Sequence, residues 1–173
     1  MHKAYLSLGS NIADPSAQIA QAIQRLEKHV GQVVACAPLY LTKPVGFESE
    51  NLFVNTAVCI HTHLTPEALL EQTQQIEQRM GRKEKSHNSL YKDRIIDIDI
   101  LLYDHAIGTF LTKNQETLTL PHPHVCSRLF VLIPMCDIAP QLIHPVEKKN
   151  FTALLEAYLT QHPEEIKDIK RKG

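Results

Sequence analysis

Two aspartates interrupt the apolar stretch Arg94-Ile95-Ile96-Asp97-Ile98-Asp99-Ile100-Leu101-Leu102. Because successive side chains of a strand point to opposite faces, the stretch predicts a β-strand with one apolar column, formed by Ile96, Ile98, Ile100 and Leu102. Asp97 and Asp99 then share the other face, with Cα atoms about 6.6–6.8 Å apart. Two such carboxylates repel each other unless a cation neutralises them, and Mg²⁺ prefers carboxylate oxygens. The stretch indicates either a metal–phosphate site or a sheet face open to water, and spacing alone favours neither.

The composition is that of an ordinary globular chain. Its 173 residues are 43% hydrophobic and 21% charged, which predicts one domain with its own core. The net charge of −1 gives no overall attraction for nucleic acid or anionic lipid, so local clusters of charge must bind any anion. No signal-peptide pattern or membrane-length apolar run is present. We expect a cytoplasmic monomer with no nucleic-acid or membrane partner.

The rest of the chain alternates between strands and helices. It predicts, in order, a strand at Lys3–Leu8, a helix from Asp14 to Gly31, strands at Gln32–Leu41 and Leu52–Ile60, a helix from Thr65 to Gly81, and the aspartate strand. This βαββαβ order is typical of the ferredoxin-like split βαβ fold, an α+β architecture with two helices on one face of an antiparallel sheet.

The C-terminal third adds to this core. A short extended piece at Leu118–His124 precedes helices predicted at Arg128–Ile138 and Phe151–Leu159, which form a helical extension. We expect residues 1–162 to form a single domain. The charged tail at 163–173 is predicted to fray.

Alternation also predicts which residues share the open face of the sheet. Phe53 and Asn55 lie on the face of their strand opposite to its apolar column, as Asp97 and Asp99 do. A planar hydrophobe beside a two-way hydrogen-bonding amide suits a flat heterocycle. An exposed sheet face with one aromatic is equally common, so this pair alone does not decide between the two.

A basic segment precedes the aspartate strand. Six of the 18 Lys and Arg residues fall within it: Arg79, Arg82, Lys83, Lys85, Lys92 and Arg94. Charge runs of this kind are more often solvated loops, but its position beside Asp97 and Asp99 favours a role with polyphosphate. The chain has no glycine-rich phosphate loop.

Histidine and cysteine patterns give little support for zinc. The pairs His61/His63 and His122/His124 have no third ligand nearby in sequence, which favours polar strand-end residues. The four cysteines form no C-x-x-C pair, which argues against a zinc ribbon or a disulfide scaffold.

Several stretches, in order from residue 4 to about 145, match those of one enzyme family. They are Ala4–Asn11 (AYLSLGSN), Thr42–Gly46 (TKPVG), Phe53–Val58 (FVNTAV), Gln74–Glu77 (QQIE), Gly81-Arg82, Arg94–Leu102 (RIIDIDILL), Leu120–Pro123 (LPHP), Arg128–Leu132 (RLFVL), Pro134 and Ile138–Pro140. The combination R-x-x-D-x-D-I-L-L followed by L-P-H-P is specific. The chain resembles the 6-hydroxymethyl-7,8-dihydropterin pyrophosphokinases (HPPK) of folate biosynthesis.

The resemblance implies an ATP-dependent diphosphotransferase. Such an enzyme transfers the β,γ-pyrophosphoryl group of ATP to the hydroxymethyl group of the pterin and releases AMP. Asp97 and Asp99 match the residues that hold two Mg²⁺ ions, and Arg82 and Arg94 match catalytic arginines of a basic lid loop. The implied cofactor is therefore Mg²⁺, with ATP as co-substrate.

The resemblance also assigns substrate contacts. The positions that match pterin-binding ones are Thr42, Pro44, Val45, Phe53, Asn55, Asp97 and Phe130, with the rings of Phe53 and Phe130 sandwiching the pterin. The positions that match ATP-binding ones are Gln74, Glu77, Tyr91, Arg94, Ile100, Thr119, His122 and Arg128.

One departure from the family pattern stands beside the aspartate strand. The family usually has aromatic-Gly-Pro-Arg there, whereas this chain has Tyr91-Lys92-Asp93-Arg94. Losing both glycine and proline changes the turn geometry that the backbone permits. We expect catalysis to be retained, with a different ATP affinity or lid movement.

Two other functions fit parts of the pattern. A ferredoxin-like RNA-binding module also stacks bases on sheet-face aromatics, but the chain lacks the RNP sequence and the two aspartates would repel phosphate without a metal. A metal-dependent nuclease would also use paired carboxylates, and nucleic-acid cleavage would reveal it.

Overall fold

The computed structural model describes residues 1–82 and 93–173. The described strands are β1 (His2–Ser10), β2 (Gly31–Cys36), β3 (Tyr40–Thr42), β4 (Phe53–Thr62), β5 (Asp97–Tyr103), β6 (Gly108–Leu111), β7 (Thr117–Leu120) and β8 (Ile169–Arg171). The described helices are α1 (Pro15–His29), α2 (Pro66–Arg79), α3 (Leu129–Ile138), α4 (Phe151–Gln161) and a 3₁₀ helix at Pro163–Asp168. The molecule is a mixed α+β fold.

An antiparallel sheet forms the centre of the molecule. Its strands follow the order β5-β1-β4-β3-β8, and β2 pairs with β4 along the same edge as β3. Strand β1 lies between β4 and β5, so that Gly9 is opposite Asn55 on one side and Asp97 on the other. Strands β6 and β7 form a separate hairpin.

Helices α1 and α2 cover one face of the sheet. The core on this face is built from the alternating apolar residues of the central strands, such as Leu6, Val58 and Ile98, and from Leu26 and Ile76 of the helices. The predicted helix starts are confirmed: the Asp14 and Thr65 side chains accept hydrogen bonds from the amides of residues 17 and 68.

Helices α3 and α4 cover part of the opposite face. Leu132 of α3 and Phe151 of α4 pack with Tyr5, Ala57 and Leu101 of the sheet in a second core. The helical extension therefore restricts the open face to the other half of the sheet, where Asn55, Asp97 and Asp99 lie.

A β-bulge corrects the predicted apolar column of β5. The pairing of β1 with β5 shifts between Tyr5 and Leu6, and Leu102 joins the second core instead of the core under α1 and α2. The inserted residue reverses which face the following side chains occupy, and Tyr103 takes the place expected for Leu102.

Gly31 and the strand predicted at Gln32–Leu41 differ from expectation. The last residue of α1 is His29, and Gly31 begins β2, where an added Cβ would lie 2.1 Å from the His61 carbonyl oxygen. The predicted strand divides into β2 and β3 around Ala37-Pro38-Leu39. Proline has no amide to donate to a ladder, which explains the break.

The prediction that the tail frays is wrong. Strand β8 pairs antiparallel with β3, the Lys172 amide donates to the Leu39 carbonyl oxygen, and Ile169 is buried. An apolar residue within the charged tail and a free sheet edge beside it explain the difference.

None of the helices described within residues 1–82 and 93–173 combines the length and the apolar character needed to cross a membrane.

Candidate active site

A cleft opens on the uncovered half of the sheet. It encloses about 590 Å³ of empty space, part of which is open to solvent. Its walls are formed by Ser7, Gly9, Thr42, Lys43, Val45, Phe47, Phe53, Asn55, Arg94, Asp97, Asp99, Arg128 and Phe130. The four residues predicted to share this face, Phe53, Asn55, Asp97 and Asp99, all line it.

Two arginines contact the first aspartate. Arg82 Nη1 lies 2.5 Å from Asp97 Oδ1, and Arg94 Nη1 lies 2.5 Å from Asp97 Oδ2. Arg82 lies near the start of the basic segment and Arg94 is its last residue. Each Asp97 oxygen thus accepts a charge-assisted hydrogen bond from an arginine.

Glu77 of α2 contacts both Arg82 and strand β5. Its carboxylate is buried in α2 and accepts hydrogen bonds from the Ile98 amide at 2.7 Å and from Arg82 Nη1 at 2.8 Å. Glu77 therefore joins helix α2 to strand β5 and holds Arg82. Its assignment as an ATP contact remains a prediction.

The Arg82 guanidinium is in an unusual environment. Its side chain is only 8% exposed. Burial alone lowers the pKa of Arg82, but the charges of Asp97 and Glu77 outweigh burial and raise the pKa above its ordinary value. Arg82 is therefore a fixed cation beside the paired carboxylates.

The amide of Asn55 is held at the floor of the cleft. Asn55 Nδ2 donates to Thr42 Oγ1 at 2.7 Å, and both side chains are buried. Gly9 gives it room, since a Cβ at position 9 would lie 2.8 Å from Asn55 Oδ1. The Asn55 amide can thus recognise the polar edge of a bound molecule with a fixed orientation.

Aromatic rings form the walls of the cleft. Phe53 and Phe130 both line it, and the ring of Phe47 meets Phe53 edge-on at a centroid distance of 6.0 Å. The Arg128 guanidinium lies 5.8 Å from the centroid of Phe130. Rings on the walls and an amide on the floor favour a flat heterocycle as the ligand.

A second cleft adjoins the first at Asp99. It is lined by Leu70, Ile98, Asp99, Ile100, Thr117, Leu118, Thr119, His122 and Pro123. Three of the predicted ATP contacts, Ile100, Thr119 and His122, meet here, and Asp99 lines both clefts. Gln74 lies half-buried on α2, and its ATP contact remains a prediction.

Some predicted residues lie elsewhere. Tyr91, Lys83, Lys85 and Lys92 fall outside the described residues, so the lid prediction concerns a part of the chain that the structure does not describe. Pro44 lies beside the cleft in the segment between β3 and β4. Arg79 is exposed at the end of α2.

The histidine pairs are not part of a metal cluster in the described ranges. Three potential ligand groups come together there only at His162, Glu164 and Glu165, away from both pairs. His61 lies within β4 and His122 lines the second cleft. The interpretation of His61/His63 and His122/His124 as polar strand-end residues remains a prediction.

Sequence reasoning missed four residues of the cleft wall: Ser7, Gly9, Lys43 and Phe47. Ser7 and Gly9 could have been found, because they alternate with the apolar residues of β1 and so face the same side as Asn55. Nothing in the sequence around Phe47 shows that its loop folds over the sheet.

The chain matches one protein family. The family model described as 7,8-dihydro-6-hydroxymethylpterin-pyrophosphokinase (HPPK) matches residues 5–140. The chain belongs to this family.

Curated relatives agree with this membership. The 2-amino-4-hydroxy-6-hydroxymethyldihydropteridine pyrophosphokinase of Porphyromonas gingivalis is 41% identical over 141 residues, covering 82% of this chain and 92% of the relative. The protein of the same name from Bacillus subtilis is 41% identical over 151 residues, covering 87% and 83%. The folic acid synthesis protein fol1 of Schizosaccharomyces pombe is 40% identical over 159 residues, covering 91% of this chain and 21% of the relative.

Solved structures share the fold. An HPPK-DHPS structure in complex with substrates superposes with a TM-score of 0.80 at 17% identity, covering 98% of this chain and 46% of that chain. Wild-type HPPK-DHPS of Plasmodium falciparum with pteroate gives a TM-score of 0.79 at 16% identity, covering 98% and 47%. This chain spans about half the length of those solved chains.

Proposed function

We propose that this protein is a 2-amino-4-hydroxy-6-hydroxymethyldihydropteridine pyrophosphokinase of folate biosynthesis. The observation that carries the proposal is the cleft, in which an aromatic wall, the Asn55 amide and the two aspartates face one volume. The names of the curated relatives support it.

The pterin occupies the first cleft in this proposal. Phe53 and Phe130 stack on its rings, and Asn55, held by Thr42, bonds to its polar edge, with Pro44 and Val45 closing the loop side. The floor and walls described above support this placement.

ATP occupies the second cleft, with its phosphates directed towards Asp99. Ile100, Thr119 and His122 contact the nucleotide, and Gln74, Glu77, Tyr91 and Arg128 are proposed as further contacts. The sharing of Asp99 by the two clefts supports this placement, because it brings the pterin hydroxyl and the phosphates to one wall.

Asp97 and Asp99 fit a Mg²⁺ site, because the ion prefers hard carboxylate oxygens and both side chains reach the cleft. Two bound ions would neutralise phosphate charge and lower the pKa of the pterin hydroxyl. In the reaction, the pterin hydroxyl oxygen forms a bond to the β-phosphorus of ATP, the bond from that phosphorus to the AMP oxygen breaks, and the hydroxyl proton is released to solvent.

The chain's own contribution is orientation and fixed charge. Arg82 and Arg94 bring cationic charge to Asp97 in this structure. We propose that they contact the phosphates when substrates bind, under a lid formed by the basic segment. In this structure the buried Glu77 holds Arg82 by an ion pair.

The finer architectural and cellular assignments are part of the proposal. The antiparallel neighbours β5-β1-β4-β2 support the ferredoxin-like layout, and residues 1–162 are proposed as the catalytic domain. Action as a monomer is part of the proposal, and the net charge of −1 supports small-molecule partners rather than nucleic acid. Four free cysteines support a reducing compartment such as the cytoplasm.

One assay tests the activity. The full chain is incubated with ATP, Mg²⁺ and 6-hydroxymethyl-7,8-dihydropterin, and nucleotide and pterin products are separated. We expect AMP and the pterin diphosphate in equal amounts, and neither when the pterin or Mg²⁺ is omitted. Formation of ADP, or no pterin-dependent AMP, would overturn the proposal.

A further inference from the structure

The Asp93 carboxylate joins three segments that are distant in sequence. Its Oδ1 accepts hydrogen bonds from Asn11 Nδ2 and from Ser49 Oγ, both at 2.7 Å, and its Oδ2 accepts one from Asn51 Nδ2 at 3.0 Å. The Ser49 hydroxyl, assisted by the two amides, holds the pKa of Asp93 below its ordinary value. The exposed carboxylate is therefore a charged acceptor at a junction.

One side of the junction leads to the wall of the first cleft. Ser49 and Asn51 belong to the segment between β3 and β4, in which Val45 and Phe47 line the cleft. The backbone amide of Asn51 donates to Ser49 Oγ, so the two residues form one turn. Asp93 thus fixes the end of this segment two residues before Phe53.

The other side of the junction leads to Arg94, which is proposed to contact the phosphates. The backbone amide of Arg94 donates to Asn11 Oδ1 at 2.7 Å, and the backbone amide of Asn11 donates to the Arg94 carbonyl oxygen at 3.1 Å. Asn11 is buried, so this pair holds the backbone at residue 94 against β1. From there the Arg94 side chain reaches Asp97.

Asp93 is one of the residues by which this chain departs from the family pattern. Proline is expected there from the resemblance, and proline has neither a carboxylate nor a hydrogen-bond acceptor in its side chain. A proline at position 93 would stiffen the backbone. In this chain the side chain of Asp93 instead links the backbone at that position to Asn11 and to the Ser49–Asn51 turn.

We propose that Asp93 is a positioning residue, which fixes the Ser49–Asn51 turn beside the pterin and Arg94 beside the phosphates in one geometry. This inference rests on the proposed function. Through Asp93, order in the pterin-side segment and order at Arg94 are coupled, because both depend on one carboxylate.

Steady-state kinetics with Asp93→Ala, Ser49→Ala and Asn51→Ala test the coupling. Asp93→Ala is expected to raise the KM for the pterin and to lower kcat, each by about three- to ten-fold, as for hydrogen bonds to a charged group at an exposed position. Ser49→Ala and Asn51→Ala are expected to raise the KM for the pterin with kcat unchanged. The double variant Ser49→Ala/Asp93→Ala should be no worse than Asp93→Ala alone.

Two further variants provide rescue and control. Asp93→Asn keeps an oxygen that can accept from Ser49 and Asn11 but cannot accept from Asn51, so its constants should fall between those of wild type and Asp93→Ala. Asp104→Asn is the matched control, since Asp104 is an exposed carboxylate that accepts from the Lys3 amide and from His2 at the other end of β5. Unchanged KM and kcat in Asp93→Ala, or equal changes in Asp104→Asn, would overturn the inference.

Amide hydrogen exchange separates this inference from the proposed function. In Asp93→Ala the amides of Asn51 and Arg94 are expected to exchange about ten-fold faster than in wild type, with the amides of β1 unchanged. This readout needs no substrate: a wild type without turnover refutes the proposed activity, while equal exchange rates at both amides refute the role of Asp93.

Discussion

Arg82 Nη1 lies 2.8 Å from Glu77 Oε1, and this ion pair is almost fully removed from solvent. A buried cation and a buried anion each lose hydration, and each depends on the other to compensate that loss. Glu77 also accepts from the Ile98 amide, so the pair connects the helix that covers the sheet to the strand that carries the aspartates. The position of Arg82 therefore depends on packing as well as on charge.

Arg82→Ala should lower the stability of the protein as well as its rate of turnover. The substitution leaves the Glu77 carboxylate buried with one cation fewer, and we expect the free energy of unfolding to fall by about 3 kcal/mol. Urea unfolding followed by circular dichroism measures it. Arg79→Ala is the matched control, because Arg79 is exposed on the same helix and should change stability by less than about 0.5 kcal/mol. Equal effects of the two substitutions would contradict the role of the ion pair.

Asp97→Asn and Asp99→Asn should each reduce turnover by at least about 100-fold, because each removes a negative charge where cations are needed. Circular dichroism should stay unchanged for both. Calorimetric titration with Mg²⁺ in the presence of a non-hydrolysable ATP analogue should show weakened binding. A near-wild-type rate in either variant would remove the argument for a metal site.

Gly9→Ala should weaken pterin binding with little change in the fold. The added methyl group would lie 2.8 Å from Asn55 Oδ1 and must displace that amide. We expect the pterin Kd to rise about ten-fold, as for a lost hydrogen bond, with the Kd of the ATP analogue unchanged. Titration with each ligand checks this. Gly173→Ala is a control, since a Cβ there meets nothing within 4 Å.

Ile169→Ala should show that the tail is part of the fold. Ile169 is buried between β3 and the C-terminal helices, in a small core with Tyr40 and Leu129. Truncation of a buried isoleucine costs about 2 kcal/mol or more, and thermal unfolding should detect the loss. The exposed Ile166 in the neighbouring 3₁₀ helix provides the control, and equal costs at the two positions would contradict the packing of β8.

His144 should make stability depend on pH. Burial, only partly opposed by Glu147, lowers the pKa of His144 below the ordinary value of 6.5. Its Nδ1 faces the amides of Val146 and Glu147, which favours the neutral ring. Because the folded state binds the proton more weakly than the unfolded state does, the stabilisation is complete above about pH 6.5 and is lost as pH falls through the folded pKa.

The measurement for His144 is the free energy of unfolding between pH 5 and 8. We expect it to decline below about pH 6.5 in wild type. In His144→Asn, which keeps an acceptor for the two amides, the decline should be smaller. Parallel curves for the two proteins would contradict the prediction.

Much of the fold follows from local chemistry. Asp14-Pro15 and Thr65-Pro66 begin the two helices as their capping chemistry predicts. Alternation places Phe53, Asn55, Asp97 and Asp99 on one face, and in the structure all four line one cleft. These features depend only on neighbouring residues and on the two-residue period of a strand.

Other features needed the tertiary structure. The bulge that moves Leu102 to the other face depends on how β1 pairs with β5, and the pairing of β8 depends on an edge that β3 leaves free. The junction at Asp93 joins residues 11, 49, 51 and 93. No local pattern encodes contacts over such sequence distances.

The sequence by itself determined the aspartate strand, its basic neighbours and the residue types that belong together in the cleft. Those follow from strand period, charge and the family pattern. Only the tertiary structure decided which half of the sheet stays open, because α3 and α4 cover the rest. It also decided that Arg82 and Arg94 both meet Asp97, since their guanidinium groups converge through the packing of α2 against β5 and not through their spacing in the chain.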